Sequence, residues 1–161
     1  MIRVFVRDRA YWMDPFELSE LRSGDYFSIR NQKPLVNVSK GEAAEICASL
    51  GKRLCSDIEW KLACVGIHGK KFGYGMNFAE GRCNVASKET SESGTFEECT
   101  TDTQLNDMIG NVMEWVDSGD DQRRVIAMGG SFMTGNSADC FTSLYFPENF
   151  KSDQIGFRCC K

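Results

Sequence analysis

The sequence predicts an α+β domain in which two short helices and small antiparallel sheets carry a large amount of irregular loop. Three observations point there. Two helix-start signals, Ser39 with Glu42 and Ser56 with Glu59, stand one after the other in the first half of the chain. Alternating apolar stretches such as IRVFV and RRVIAMGGSF read as strands. Between them lie long glycine-bearing segments without periodicity, accompanied by eight cysteines. The 161 residues, 42% of them apolar, suffice for one domain with a real core, 1–161, and are few for two.

Residues 2–18 read as one or two strands, with Pro15 confining the second to an edge or a strand end. The polar run from Glu20 to Lys33 contains Gly24 and reads as a loop or one short turn. In LVNVSKGEAAEICASLGKRL the spacing of Ser39 and Glu42 suits reciprocal capping of free amides. Ala43, Ile46, Cys47 and Leu50 then share a helical face, and Gly51 supplies a left-handed stop, so a helix over about 40–50 follows. Ser56 and Glu59 open a second helix over about 57–65, filled by Ile58, Trp60, Leu62 and Ala63. From His68 to Asp102 the periodicity fades, and Cys83 and Cys99 stand ready to staple that segment. LNDMIGNVMEWV, 105–116, is broken by Gly110-Asn111, which is poor material for a continuous helix or strand. Then come an acidic turn at Asp117 to Asp121, a strand at RRVIAMGGSF, an irregular stretch from Met133 to Asp153 and a final strand at QIGFRCC.

A net charge of -4 with scattered Lys and Arg argues against nucleic acid as a partner. No apolar run reaches the roughly 20 residues of a spanning helix, so membrane insertion is not expected. MIRVFVRDR alternates where an export signal would show a continuous apolar block. The cysteines are many, even in number and without a C-x-x-C pair, and His68 is the one histidine, which favours disulfides over a zinc site. Disulfides point to an oxidising setting, extracellular, at a cell surface or on a virion, with a cytoplasm that tolerates disulfides as the alternative.

GKRLCSDIEW, FGYG, RCNV, LNDMIGNVMEWV, MGGSF and IGFRCC, in this order, resemble the successive motifs of the formylglycine-generating-enzyme, or sulfatase-modifying-factor, family. The resemblance runs from about Asp14 to Lys161 and implies a C-type-lectin-like fold with little regular secondary structure. It also implies a structural calcium ion held by the side chains of Asp107 and Glu114 and the carbonyls of Gly110 and Val112. Calcium takes six to eight oxygens, and a Gly-Asn turn presents carbonyls toward one point. The residues by themselves also allow Asp107 to cap a turn and Glu114 to pair with a nearby cation. A second family calcium site would begin at Asn84 and Val85. By position the resemblance pairs Cys47 with Cys159, Cys64 with Cys140, Cys55 with Cys160 and Cys83 with Cys99. An exchange of roles between the adjacent Cys159 and Cys160 stays open, because the strand register is not fixed by sequence.

The family's oxidative chemistry uses two cysteines shortly after GGS that bind copper as thiolates. Here those positions resemble Thr134 and Asp139, and Cys140 is assigned to a disulfide, so no copper site is expected. The iron-binding branch of this fold needs three histidines, so no iron is expected either. What remains is a scaffold displaying loops. The candidate ligand-binding face is the segment 132–153, with Phe132, Thr134, Asn136, Ser137, Asp139, Phe141, Thr142, Tyr145, Phe146, Asn149 and Phe150, a paratope-like mixture of aromatics and small polar groups. The variable proteins of diversity-generating retroelements look like truncated relatives that vary between GGS and GFR. That resemblance implies a non-catalytic domain that binds a protein or surface ligand; an oxidoreductase acting on a protein cysteine is the alternative.

Overall fold

The computed structural model describes residues 1–6, 8–119 and 124–161. Two four-stranded sheets and two helices form the body. β1 (Ile2–Val6) and β2 (Arg9–Met13) make an antiparallel hairpin. The chain then forms a two-residue-long pair, β3 (Ser19–Glu20) and β4 (Tyr26–Phe27), inside the segment expected to be loop. Strands this short leave no periodicity to read.

Helix α1 (Lys40–Ser49) begins as its spacing demands: Ser39 accepts from the Glu42 amide and Glu42 from the Ser39 amide. Ala43 and Cys47 are buried, Leu50 takes the C-cap and Gly51 follows with φ 66°. After β5 (Arg53–Leu54), helix α2 (Asp57–Val65) repeats the capping box with Ser56 and Glu59. Trp60, Ala63 and Cys64 are its buried face, whereas Ile58 stands exposed, contrary to its place in the expected apolar set.

No further helix or strand intervenes until β6 (Met113–Val116), the strand half of LNDMIGNVMEWV. β7 (Arg124–Met128) lies in the first half of the expected RRVIAMGGSF strand, and the GGSF part is not strand. The rest of the acidic turn beyond Gly119, with Arg123, lies outside the described residues. The expected irregular stretch 133–153 contains a 3-10 turn, Gly135–Ser137, and a full strand, β8 (Ser143–Pro147). The expected single strand QIGFRCC divides into β9 (Ile155–Gly156) and β10 (Cys159–Cys160), which join different sheets.

One sheet has the order β1-β2-β10-β5 and the other β8-β7-β6-β9. Pairing is antiparallel except β6 with β9. One apolar core gathers around Trp60 with Met13, Leu105, Ile109 and Met128; a second gathers Ala43, Leu54, Trp115, Ile155 and Phe157. Among the described residues, no helix is long and apolar enough to cross a membrane.

Four disulfides link these parts: Cys47–Cys159, Cys55–Cys160, Cys64–Cys140 and Cys83–Cys99. They are the same four pairs that the family resemblance implies. Adjacent residues of a strand face opposite sides, so Cys159 reaches α1 while Cys160 reaches the start of α2. Four such bonds in a chain of this size suit an extracellular or secreted setting.

Candidate functional site

The irregular run 105–112 ends in β6, and its last acidic residue points into the core. Glu114 is buried and accepts from Trp60 Nε1 at 2.7 Å. Its two oxygens face Arg158, with Nε at 2.8 and 3.0 Å and Nη2 at 2.7 Å. Arg158 is equally buried and donates also to the carbonyls of Asp14, Pro15 and Asn106. A planar guanidinium can serve a carboxylate and several carbonyls together. One side chain thereby ties the N-terminal segment, the 105–112 run and the last strand region.

Two more carboxylates sit beside this pair. Asp107, at φ 54°, accepts from the Gly94 amide at 2.6 Å. Glu17 accepts from Ser93 Oγ at 2.6 Å and from Asn111 Nδ2 at 2.8 Å. Burial pushes the Glu17 carboxyl up to about 8, with Asp107 adding to the rise. Burial likewise raises Asp107 to about 6, against the opposing Gly94 hydrogen bond and Arg158. Three buried carboxylates therefore share one buried guanidinium. With all three ionised their negative charge would exceed what Arg158 neutralises, and the raised Glu17 and Asp107 carboxyls hold protons longer for that reason.

Asn111 and Gly110 hold the loops together. Asn111 Oδ1 accepts from Ser91 N and Asn84 Nδ2, and its amide donates to Asn84 O at 2.7 Å. Gly110 has φ 73°, and a Cβ there would lie 2.5 Å from Asn84 O, so only glycine fits. Asn84 Oδ1 accepts from Ser87, and Val85 O from the Gly135 amide, so protein donors already meet both of these oxygens. The Gly-Asn break is thus a docking point for the 84–94 loop against β6.

The fit of calcium to Asp107, Gly110, Val112 and Glu114 divides. Glu114 is saturated by Arg158 and Trp60. Among the described residues no group of three or more His, Cys, Asp or Glu is placed to hold a metal ion. Asp107 retains the charge and the hard oxygen chemistry that calcium favours.

The segment 132–153 is fastened at several points. The Phe132 amide donates to Asn111 O at 2.9 Å, Ser131 N to Thr134 Oγ1 at 2.7 Å, and Thr142 Oγ1 to Ser137 O at 2.7 Å. Asp139 accepts from the Phe141 amide at 2.8 Å and lies 3.4 Å from Lys71 Nζ. Cys140 is tied to Cys64 on α2.

Exposure sorts the expected contact residues. Phe132 is only 3% exposed and is a core side chain, which removes it from the face. Phe146 is half-buried, with its ring 5.6 Å from that of Trp115 and 4.7 Å from that of Phe150. It is a support under the face. Asn136, Ser137, Asn149, Phe150, Phe141 at 54% and Tyr145 at 62% are exposed, with Thr134, Asp139 and Thr142 between them partly so. Lys61 of α2 lies 5.7 Å over the Phe141 ring. Met133 and Leu144 are also exposed and were not in the expected set, because an apolar aliphatic in sequence reads as core.

The site's thiol chemistry is closed: all eight cysteines are in disulfides. His68 is exposed and its Nδ1 lies 2.8 Å from Asp102 Oδ2.

A model of the Sulfatase-modifying factor enzyme 1-like domain matches residues 4–161. Among proteins of similar sequence, the Inactive C-alpha-formylglycine-generating enzyme 2 of Bos taurus is 28% identical over 94% of this chain and 56% of its own length. The protein of the same name from Mus musculus is 27% identical over 94% and 54%. The chain therefore spans about half the length of the curated relatives it matches. Among solved structures, the Major Tropism Determinant U1 Variant superposes with a TM-score of 0.75 at 12% identity, covering 93% of this chain and 50% of that one. Treponema denticola variable protein 1 gives 0.73 at 15% identity, covering 98% and 85%. These similarities place the two helices and small sheets in an α+β, C-type-lectin-like fold of the formylglycine-generating type.

Proposed function

Because the chain belongs to the Sulfatase-modifying factor enzyme 1-like domain family and yet holds Cys140 in a disulfide, we propose that it is a non-catalytic ligand-binding domain. Its contact face is the exposed part of the segment 132–153, and its partner is a protein or another surface ligand. The observation that carries this is the split within that segment. Phe132, Ala138 and Cys140 are buried anchors, while Met133, Phe141, Leu144 and Tyr145 are presented to solvent on the same stretch of chain. Large apolar side chains left exposed on a fastened stretch suit an interaction surface, Leu144 on one side of β8 and Tyr145 on the other. The names of the similar folds, a tropism determinant and a variable protein, suit a face whose composition changes while its anchors persist.

Two measurements test this. Tyr145→Ala, which removes an exposed ring, is expected to leave the melting temperature within about 2 °C of the parent, as surface substitutions do. Phe146→Ala should lower stability by about 2 to 4 kcal/mol through lost burial against Trp115. Equal destabilisation by both would place Tyr145 in the core and remove the face. Independently, a cysteine-containing peptide with added copper should show no turnover; sustained oxidation would favour the oxidoreductase alternative.

Calcium belongs to the same proposal. Asp107 with the carbonyls of Gly110 and Val112 would hold it, and Glu114 would stay with Arg158. The excess of buried carboxylate supports a cation there. Without one, protons do that work. Glu17, raised from 4.5 to about 8, contributes stability that is fully present below about pH 4.5 and lost as pH rises through about 8. At pH 8, chelator should therefore lower the melting temperature of the parent and leave Asp107→Ala unchanged. Melting of the parent that ignores chelator at pH 8 would remove calcium.

A further inference from the structure

The sheet β1-β2-β10-β5 ends in β1, which among the described residues is paired on one side only, and the exposed side chains of its hairpin are unusually large for an edge. Phe5 is 60% and Trp12 48% exposed, and both stand on the outer face of the β1–β2 hairpin. The pairing register places Arg3 directly opposite Trp12 and Phe5 opposite Ala10. Directly opposed residues share a face, so Arg3, Phe5 and Trp12 form one exposed patch, while Val4 between them is fully buried.

The direction of the free backbone groups follows from β2. Trp12 exchanges both backbone hydrogen bonds with Lys161, and the Asp14 amide donates to Cys159 O. The backbone of Trp12 and Asp14 thus faces β10, and that of Tyr11 and Met13 faces their β1 partners, Val4 and Ile2. By the same alternation, Arg3 and Phe5 turn their N–H and C=O groups outward, away from the sheet.

We propose that β1 pairs antiparallel with β1 of a second copy of this chain, in the register that sets Arg3 of each copy opposite Phe5 of the other. Val4 then lies on the two-fold axis. The occupant follows from self-complementarity. In this register both outward residues of each strand are used, giving four inter-chain backbone hydrogen bonds. On the outer face, each Arg3 guanidinium comes to lie between Trp12 of its own chain and Phe5 of the other. A cation held between two aromatic rings replaces the charge repulsion by which edge strands usually avoid such pairing. The other five-residue edge strand, β8, is less suited, since Pro147 has no N–H to offer. β8 also belongs to the other sheet, so pairing through β1 leaves the segment 132–153 of both copies uncovered. The inference stands on the hairpin alone and does not depend on the proposed binding function.

Sedimentation velocity of the 161-residue chain over a wide concentration range tests it. The expected result is a concentration-dependent doubling of mass, with slower amide exchange at Phe5 as the dimer fills. Phe5→Lys sets a lysine against the other copy's Arg3, and should raise the concentration needed for dimer at least tenfold at unchanged melting temperature. Adding Arg3→Glu to Phe5→Lys, which makes each cross-strand pair opposite in charge, should restore dimer. A chain that stays monomeric throughout, or a dimer indifferent to Phe5→Lys, overturns the proposal. Should the lysine variant fail to fold, the Phe5 amide decides in the parent: exchange that does not slow with concentration is the same negative answer.

Discussion

Arg158→Met is expected to destabilise the domain by about 3 to 5 kcal/mol, the cost of leaving a buried charge without its partner. The guanidinium is the one cation hydrogen-bonded to Glu114 among the described residues, and it also satisfies carbonyls of Asp14, Pro15 and Asn106. Methionine fills much of the volume but leaves Glu114 buried without the cation that hydrogen-bonds it, and removes the charge that offsets Asp107 and Glu17. Glu114→Leu introduced together with Arg158→Met should recover part of the loss, since removing both charges avoids the orphaned one. Urea unfolding of the two single variants and the double variant would show this as a favourable coupling. Strict additivity would mean that the pair contributes through packing alone.

Loss of Cys64–Cys140 is the second large effect. Replacing both cysteines with alanine removes a link of sequence separation 76 between α2 and the segment 132–153. A cost of about 2 to 5 kcal/mol is expected. The entropy model ranks it above Cys83–Cys99, with separation 16, by about 1 kcal/mol. Denaturant midpoints of the two double variants check the order. The Cys64–Cys140 variant should also show faster amide exchange between Met133 and Thr142, because Cys140 is a buried anchor of that stretch. Unaltered exchange there would mean that the hydrogen bonds of Thr134, Asp139 and Thr142 hold the segment unaided.

Much of the scaffold was legible because its signals are local. Ser39 with Glu42 and Ser56 with Glu59 fix both helix starts through bonds spanning three residues. Gly110 and Asn111 announced a break, and both have positive φ. The ion pair was half legible. Glu114 stood out as a charge in an apolar run, but its partner Arg158 lies 44 residues on, and no periodicity links them. A lone arginine between Phe157 and Cys159 was the available signal, because a cation inside a buried stretch needs a carboxylate.

The short strands were illegible for a different reason. β3, β4, β5, β9 and β10 are two residues each, so pairing comes from tertiary placement. The face fell between these cases. Phe132 and Phe141 are the same residue type in one segment, yet one is core and the other exposed, which depends on where the Gly129-Gly130 turn directs the chain. A Cβ on Gly129 would lie 2.6 Å from Met108 O, so that turn is fixed by a contact twenty-one residues back along the chain.

Sequencing codons 132–153 of this gene alongside its other codons across a natural population tests the central claim most directly. A diversified binding domain predicts substitutions concentrated at exposed positions, Met133, Asn136, Ser137, Phe141, Leu144, Tyr145, Asn149 and Phe150, with Phe132, Ala138 and Cys140 unchanged. Substitutions spread evenly over the exposed surface of the whole chain, or falling on the buried anchors as often as on their exposed neighbours, would contradict it.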